Sequence, residues 1–345
     1  MNDLRKGVRV SVAPLLALGF GAAMWLSGEA RGQSTTVGTI ERIDPKFDAI
    51  VPAGAVVERL ADGFDWSEGP VWDKKEGRLL FSDVPQNVVF QWKQGAGTSV
   101  FLKPSGYTAG PARVGEPGSN GLAIDATGRL ILCQHGDRRV AALEADGKSF
   151  STLADKYDGK RFNSPNDVVV KSNGDLYFTD PPYGLLKLND DPSKEIPFNG
   201  VYRLGKDGKV TLLTDELTFP NGLAFSPDEK TLYVANSDPK LALWKAYPVK
   251  ADGTLGEGKI FADVTASVAT KKGLPDGMKV DKEGNLFATA PGGVLVFAPD
   301  GTHLGTFATG EATGNCAWGD DGKTLYINAD MYLGRVRVNT GAARF

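Results

Sequence analysis

Six positions in the chain place an oxygen-bearing polar side chain directly ahead of an apolar run: Glu68, Asn120, Asn166, Asn221, Asp276 and Asn315. Carboxylate and amide oxygens are the donor set of a hard divalent cation, and Glu68 with Asp276 supply two negative charges to balance one. Without a cation, two carboxylates confined together repel, and one is held protonated. A blander reading is that Asn-Gly and Asp-Gly only make turns leading into a strand. Glu68-Gly69-Pro70 speaks against it, because Glu is a poor turn residue standing where the other units have Asn or Asp.

The elements that must position these residues are clearest at Ser164 to Gly184. Val168, Val169 and Val170 suit a buried strand, Ser172-Asn173-Gly174-Asp175 is a turn, and Leu176-Tyr177-Phe178-Thr179 returns. The same hairpin follows each of the other five positions, for example Leu122-Ala123-Ile124 with Leu130-Ile131-Leu132, and Leu223-Ala224-Phe225 with Leu232-Tyr233-Val234. A further short apolar strand precedes each later unit, as in Val100-Phe101-Leu102 and Val210-Thr211-Leu212-Leu213. It therefore reads as the outermost strand of the unit before it. The last unit has only Arg335-Val336-Arg337-Val338 after its hairpin, one strand short of four, and Val56-Val57-Glu58-Arg59-Leu60 is the spare strand. The expected fold is all-β: a six-bladed β-propeller closed by an N-terminal strand, with no raw sheet edge at the seam. Starts spaced unevenly by 39 to 55 residues suit four-stranded blades with variable loops. In such a ring the innermost strands run side by side along a channel, so the six oxygen-bearing positions converge at one end.

Composition narrows the function. A formal net charge of −3 offers no basic footprint for nucleic acid. Only His135 and His303 and two separated cysteines, Cys133 and Cys316, are present, so a zinc site of the usual kind cannot be assembled, and both thiols read as buried. Arg5, Lys6 and Arg9 precede the uncharged, mostly apolar Val10 to Leu26, followed by small residues around Gly28, Ala30 and Gly32. Residues 1–32 thus read as a secretory signal, 33–52 as an N-terminal extension and 53–345 as the propeller; an uncleaved anchor is the alternative. A periplasmic or secreted protein, not inserted in a membrane after processing, is expected. Gly319-Asp320-Asp321-Gly322-Lys323-Thr324 lacks the spacing of a phosphate loop and leads into a strand, and no G-x-S-x-G occurs.

Four ordered segments, Ser67-Glu68-Gly69-Pro70-Val71-Trp72, Ser164-Pro165-Asn166-Asp167, Pro220-Asn221-Gly222-Leu223 and Pro275-Asp276-Gly277-Met278, carry a resemblance. From about Val56 to Phe345 the chain resembles the SMP-30/gluconolactonase/LRE-like family, calcium-dependent six-bladed propeller enzymes, and Thr179-Asp180-Pro181-Pro182-Tyr183-Gly184 looks most like its bacterial gluconolactonases. The resemblance implies that Glu68, Asn166, Asn221 and Asp276 hold a catalytic Ca²⁺, other divalent ions being possible, and that Asp276 accepts the proton. Regucalcin-type members place an Arg two residues before the motif Asn, where this chain has Ser164, with Arg161 upstream.

The expected activity is opening of a sugar lactone such as glucono-1,5-lactone to the aldonic acid, with the metal as Lewis acid and a carboxylate as base. The alternatives are another calcium-dependent lactone, ester or phosphotriester hydrolase on the same fold, and, from a different class, a non-catalytic exported binding propeller. Asn120, His135, Asp167, Tyr183 and Asn315 are the candidate substrate-binding residues. The long connection Gly184 to Asn199, with Asp190 and Asp191, is expected to overhang the channel mouth.

Overall fold

The computed structural model describes residues 35–111 and 113–343. The predicted signal segment, and so its cleavage, lies outside the described residues.

Among the described residues six antiparallel sheets of four or five strands follow one another in chain order, with a two-stranded ribbon, Lys156–Tyr157 and Lys160–Arg161, between the second and the third. Their innermost strands are Ser67–Asp73, Ser119–Ile124, Val168–Val170, Pro220–Phe225, Met278–Val280 and Asn315–Gly319. Each pairs by a short hairpin with a second strand, and two more strands complete the blade outward. The last blade completes itself with the N-terminal strand Val57–Asp62, which pairs with Tyr332–Arg337 in the register Tyr332↔Asp62 to Arg335↔Glu58. The six-bladed ring with its borrowed closing strand therefore matches the sequence expectation.

Why these residues make strands is visible in where alternate side chains go. Along Arg78–Asp83, Leu79 and Phe81 pack against Ala317, Tyr326 and Leu333 of the last blade, while Leu80 packs against Leu122 and Leu132 of the second. Along Leu130–Gln134, Ile131 and Cys133 join Val168 and Phe178 of the third blade, while Leu130 and Leu132 face the first. Both faces of each blade are buried, so the strands read as continuous apolar runs rather than as an alternation. Six apolar clusters result, one at each junction between neighbouring blades. Cys133 and Cys316 are free and buried within two of them.

The segment ahead of the closing strand is built into the ring. Thr35–Val37 adds to the outer edge of Val57–Asp62, and Thr39–Arg42 adds to His303–Ala308 of the fifth blade, so one short stretch ties two blades together. A single helical turn, Phe47–Ile50, then inserts Phe47 beside Phe307, with ring centroids 5.8 Å apart. Among the described residues no helix is long and apolar enough to cross a membrane.

Candidate active site

The six oxygen-bearing residues stand at the starts of the inner strands, at one end of the ring. In blades one, two and four the ladder slips by one residue just there: Glu68↔Ser82 is followed by Val71↔Leu80, Ser119↔Gln134 by Leu122↔Leu132, and Pro220↔Asn236 by Leu223↔Val234. Such bulges re-aim side chains. Asn315 differs, lying in unbroken register with Asn328.

The glycines after these residues serve close approach rather than turning. A Cβ on Gly222 would lie 2.3 Å from the Asp276 carbonyl oxygen, and one on Gly277 would lie 1.9 Å from Asn315 Cγ. Of Gly69, Gly121, Gly222 and Gly277 only Gly69 has a positive φ, +52°. The turn reading of Asn-Gly and Asp-Gly thus fails at Asn120, Asn221 and Asp276. There, bare backbone lets the next inner strand come within contact.

Amide orientation sorts the asparagines. Asn166 Nδ2 is 3.4 Å from His135 Nε2, and Asn221 Nδ2 donates to Ser237 Oγ at 3.0 Å, with Ser237 Oγ in turn donating to the Pro275 carbonyl. In each case the nitrogen is held from behind and Oδ1 is buried without a partner; Asn120 Oδ1 and Asp167 Oδ2 are likewise orphaned. Buried acceptors without donors are costly. The oxygens of Asn166 and Asn221 are thus left free for a cation or another donor. Asn315 faces the other way: its Oδ1 accepts from Cys316 N at 2.9 Å, and its Nδ2 donates to Glu68 Oε2 at 3.3 Å. It is a brace between the last and first blades, with its amide committed to the protein.

The carboxylates show the same deficit of positive charge. Burial pushes Glu68 up to about 8, against the lowering effect of Gly69 N at 2.9 Å, and the charges of Asp167 and Glu116 push it further. Asp276 is raised well above its ordinary value, by burial first and then by Glu68, Asp167 and Glu116. Glu68 is fully buried, whereas Asp276 keeps part of its surface open. Asp167 is also raised by burial, but the Lys279 ammonium opposes this. Lys279, three residues beyond Asp276, holds its Nζ 3.5 Å from Asn315 Oδ1. Among the described residues no three His, Cys, Asp or Glu side chains gather in metal-binding geometry. A cation at this mouth therefore relies on the amide oxygens, and the residues present fit an oxygen-preferring ion of Ca²⁺ type: Glu68 and Asp276 for charge, Asn166 and Asn221 for neutral donors.

His135 lies in the same cluster, at the end of the second blade's return strand. It is fully buried and pushed down to about 3 by that burial, so the imidazole is neutral. Its Nε2 toward Asn166 and its Nδ1 3.6 Å from Glu116 Oε2 imply the Nδ1-protonated tautomer. Asp167 also stays inside the ring rather than alternating away, its Oδ1 accepting from Val168 N at 2.8 Å. Tyr183 stacks on Phe219, with Ser237 and Asn221 beside its hydroxyl, which burial and Asp276 keep protonated.

Four contributors escape a reading by repeats. Ser237 lies on a second strand, Lys279 inside an apolar run, and Arg113 with Glu116 in the loop between Leu102 and Ser119. That loop's length, like that of 184–199, is the signal that points to it. From 184–199 the structure brings only the beginning to the site: Gly184 abuts His135 and Ser164, while Asp191 accepts from Ser193 and Lys187 within its own turn. A cavity of about 780 Å³ opens among the later residues of the inner strands, including Val71, Val169 and Ala224, and of the residues placed in the site it is lined by Lys279 alone.

Residues 66–330 match the family model for the SMP-30/Gluconolactonase/LRE-like region. The chain is 40% identical to a gluconolactonase of Zymomonas mobilis over 344 residues, 98% of this chain and 96% of that one. It is similar to a solved gluconolactonase from Xanthomonas campestris at 34% identity and a TM-score of 0.77, covering 89% of this chain and 98% of the other. Pentonolactonase XacC of Haloferax volcanii is 28% identical over 264 residues, 75% of this chain and 80% of that protein.

Proposed function

The chain belongs to the SMP-30/gluconolactonase/LRE-like family, and from that premise we propose that it is a lactonase opening a sugar lactone such as glucono-1,5-lactone to the aldonic acid, with Ca²⁺ held by Glu68, Asn166, Asn221 and Asp276. The observation that carries the reading is the set of outward-held amides: Asn166 and Asn221 each have their nitrogen engaged and their oxygen buried without a donor. When bound, the cation supplies the positive charge that polarises the lactone carbonyl and steadies the charge developing on its oxygen.

The chain's own groups do the rest. Asp276 is assigned the proton from an attacking water: it is the one carboxylate residue of the oxygen ring that is not fully buried, and its raised proton affinity suits a base. Glu68 balances charge behind it, with its geometry set by Gly69 N and Asn315 Nδ2. Asp167 shares its charge with Lys279, so it adds less to the mutual repulsion than its position alone would suggest. Neutral His135 holds Asn166 by its amide nitrogen, and Tyr183 presents a protonated hydroxyl beside Asn221.

The test is the metal content of the purified chain together with its rate on glucono-1,5-lactone, before chelation, after it and with Ca²⁺ restored. Activity that disappears with chelation and returns with calcium is expected. Activity that survives exhaustive chelation would remove the metal from the scheme. Faster turnover of aryl esters or phosphotriesters than of lactones would reassign the substrate, and calcium binding without turnover of any of them would leave a binding propeller. We also propose that the protein is exported, the mature chain beginning between about Arg31 and Ser34. N-terminal sequencing decides this, and a full-length membrane-bound product would refute it.

A further inference from the structure

Resting on that reading, we propose that Arg113 and Glu116 form a subsite that recognises the ring hydroxyls of the substrate and so selects polyhydroxylated lactones over plain ones. Their loop is pinned at two places. Asn87 Oδ1 accepts from the backbone of Ser105, Gly106 and Tyr107 at 3.0, 2.7 and 3.1 Å. Asp137 accepts from Thr108 N at 3.0 Å and Thr108 Oγ1 at 2.6 Å. On this fixed base the Arg113 guanidinium lies 5.2 Å over the Tyr107 ring, and its Nη2 donates to the carbonyl of Gly184, the residue that abuts His135.

What remains of the guanidinium is informative. Arg113 Nε is buried and has no acceptor. Glu116 brings an acceptor into the same wall, its Oε2 3.6 Å from His135 Nδ1, and His135 Nε2 in turn stands 3.4 Å from Asn166. A guanidinium with one N–H unpaired and a part-exposed carboxyl group thus flank the histidine that backs the oxygen ring. A hydroxyl both donates and accepts, so neighbouring hydroxyls on a sugar ring match this pair where a hydrocarbon ring leaves it unpaired. Sites built to bond a substrate hydroxyl reject the analogue lacking it far more strongly than apolar pockets discriminate by size.

The experiment compares kcat and KM of wild type, Arg113→Met and Glu116→Gln on glucono-1,5-lactone and on δ-valerolactone, which has the ring without hydroxyls. Assays are run at saturating Ca²⁺ and corrected for spontaneous hydrolysis. With gluconolactone, KM is expected to rise about tenfold or more in each variant, and the loss of kcat/KM on gluconolactone is expected to exceed that on δ-valerolactone by about tenfold or more. Melting temperatures are measured alongside, and if Arg113→Met loosens the loop, the isosteric Glu116→Gln decides. Unchanged KM on gluconolactone, or equal losses on both lactones, would overturn the subsite while leaving the hydrolase reading intact. A wild type that opens neither lactone would overturn that reading, and the subsite with it.

Discussion

Asn315 Nδ2 lies 3.3 Å from Glu68 Oε2, joining the inner strands of the last and first blades between residues 247 positions apart. The bond sits at the seam of the ring and beside a buried carboxyl group. Asn315→Ala leaves Glu68 short of a donor and should cost about 1–3 kcal/mol of stability. Denaturant unfolding of the calcium-loaded protein measures it. Wild-type stability would show that the brace contributes nothing.

Asp276→Asn keeps an oxygen at the ring but removes a charge and the base. Turnover at saturating Ca²⁺ should fall by roughly a hundredfold or more. His135→Gln should lose less in turnover and more in calcium affinity, because His135 orients Asn166 and, pushed down to about 3, does not titrate near neutrality. Profiles of kcat/KM against pH separate the two roles. A nearly wild-type Asp276→Asn with calcium bound, beside a dead His135→Gln, would hand the proton to the histidine.

Stability without metal should fall with rising pH. Burial holds Glu116 up to about 7, and burial with the charges of Asp167 and Glu116 holds Glu68 up to about 8, against 4.5 for an unperturbed Glu. Across that interval the folded chain keeps protons that the unfolded chain has lost, so stability declines from about pH 4.5 toward 8 and levels off above. Calcium favours the ionised carboxylates and adds binding energy to the folded state. The Tm gap between calcium-loaded and chelated protein should therefore widen between about pH 5 and 8. A gap that does not change with pH would contradict this.

Gly222→Ala tests the close approach of neighbouring inner strands. Its Cβ would meet the Asp276 carbonyl oxygen at 2.3 Å, backbone that cannot swing aside. The fifth blade's start must shift, taking Asp276 with it, and a displacement on the order of 1 Å at a reacting group costs roughly a hundredfold in rate. Gly54→Ala, where a Cβ meets nothing within 4 Å, is the control. Equal kinetics for the two variants would show that the strand spacing is not needed.

The ring was legible in the sequence because its unit is local. Each hairpin is a pair of short apolar runs around a turn, as at Val168–Val170 and Leu176–Asp180, and repetition marks one position per blade for Glu68, Asn166 and Asp276. Residue type at a repeated position is enough to suggest oxygen ligands. The 35–42 segment was not legible, since its two short strands gain their meaning only from edges of blades five and six. Nor were the roles within the ring: Asn166, Asn221 and Asn315 are the same residue at equivalent places, yet His135 and Ser237 hold the first two by nitrogen, while Cys316 and Glu68 turn the third around. Lys279, an interruption in an apolar strand, became a counter-charge for Asp167 only when the inner strands closed on one axis. An amide has no orientation until its neighbours supply a donor or an acceptor, and apart from Cys316 N these neighbours lie 16 to 247 positions away in the chain.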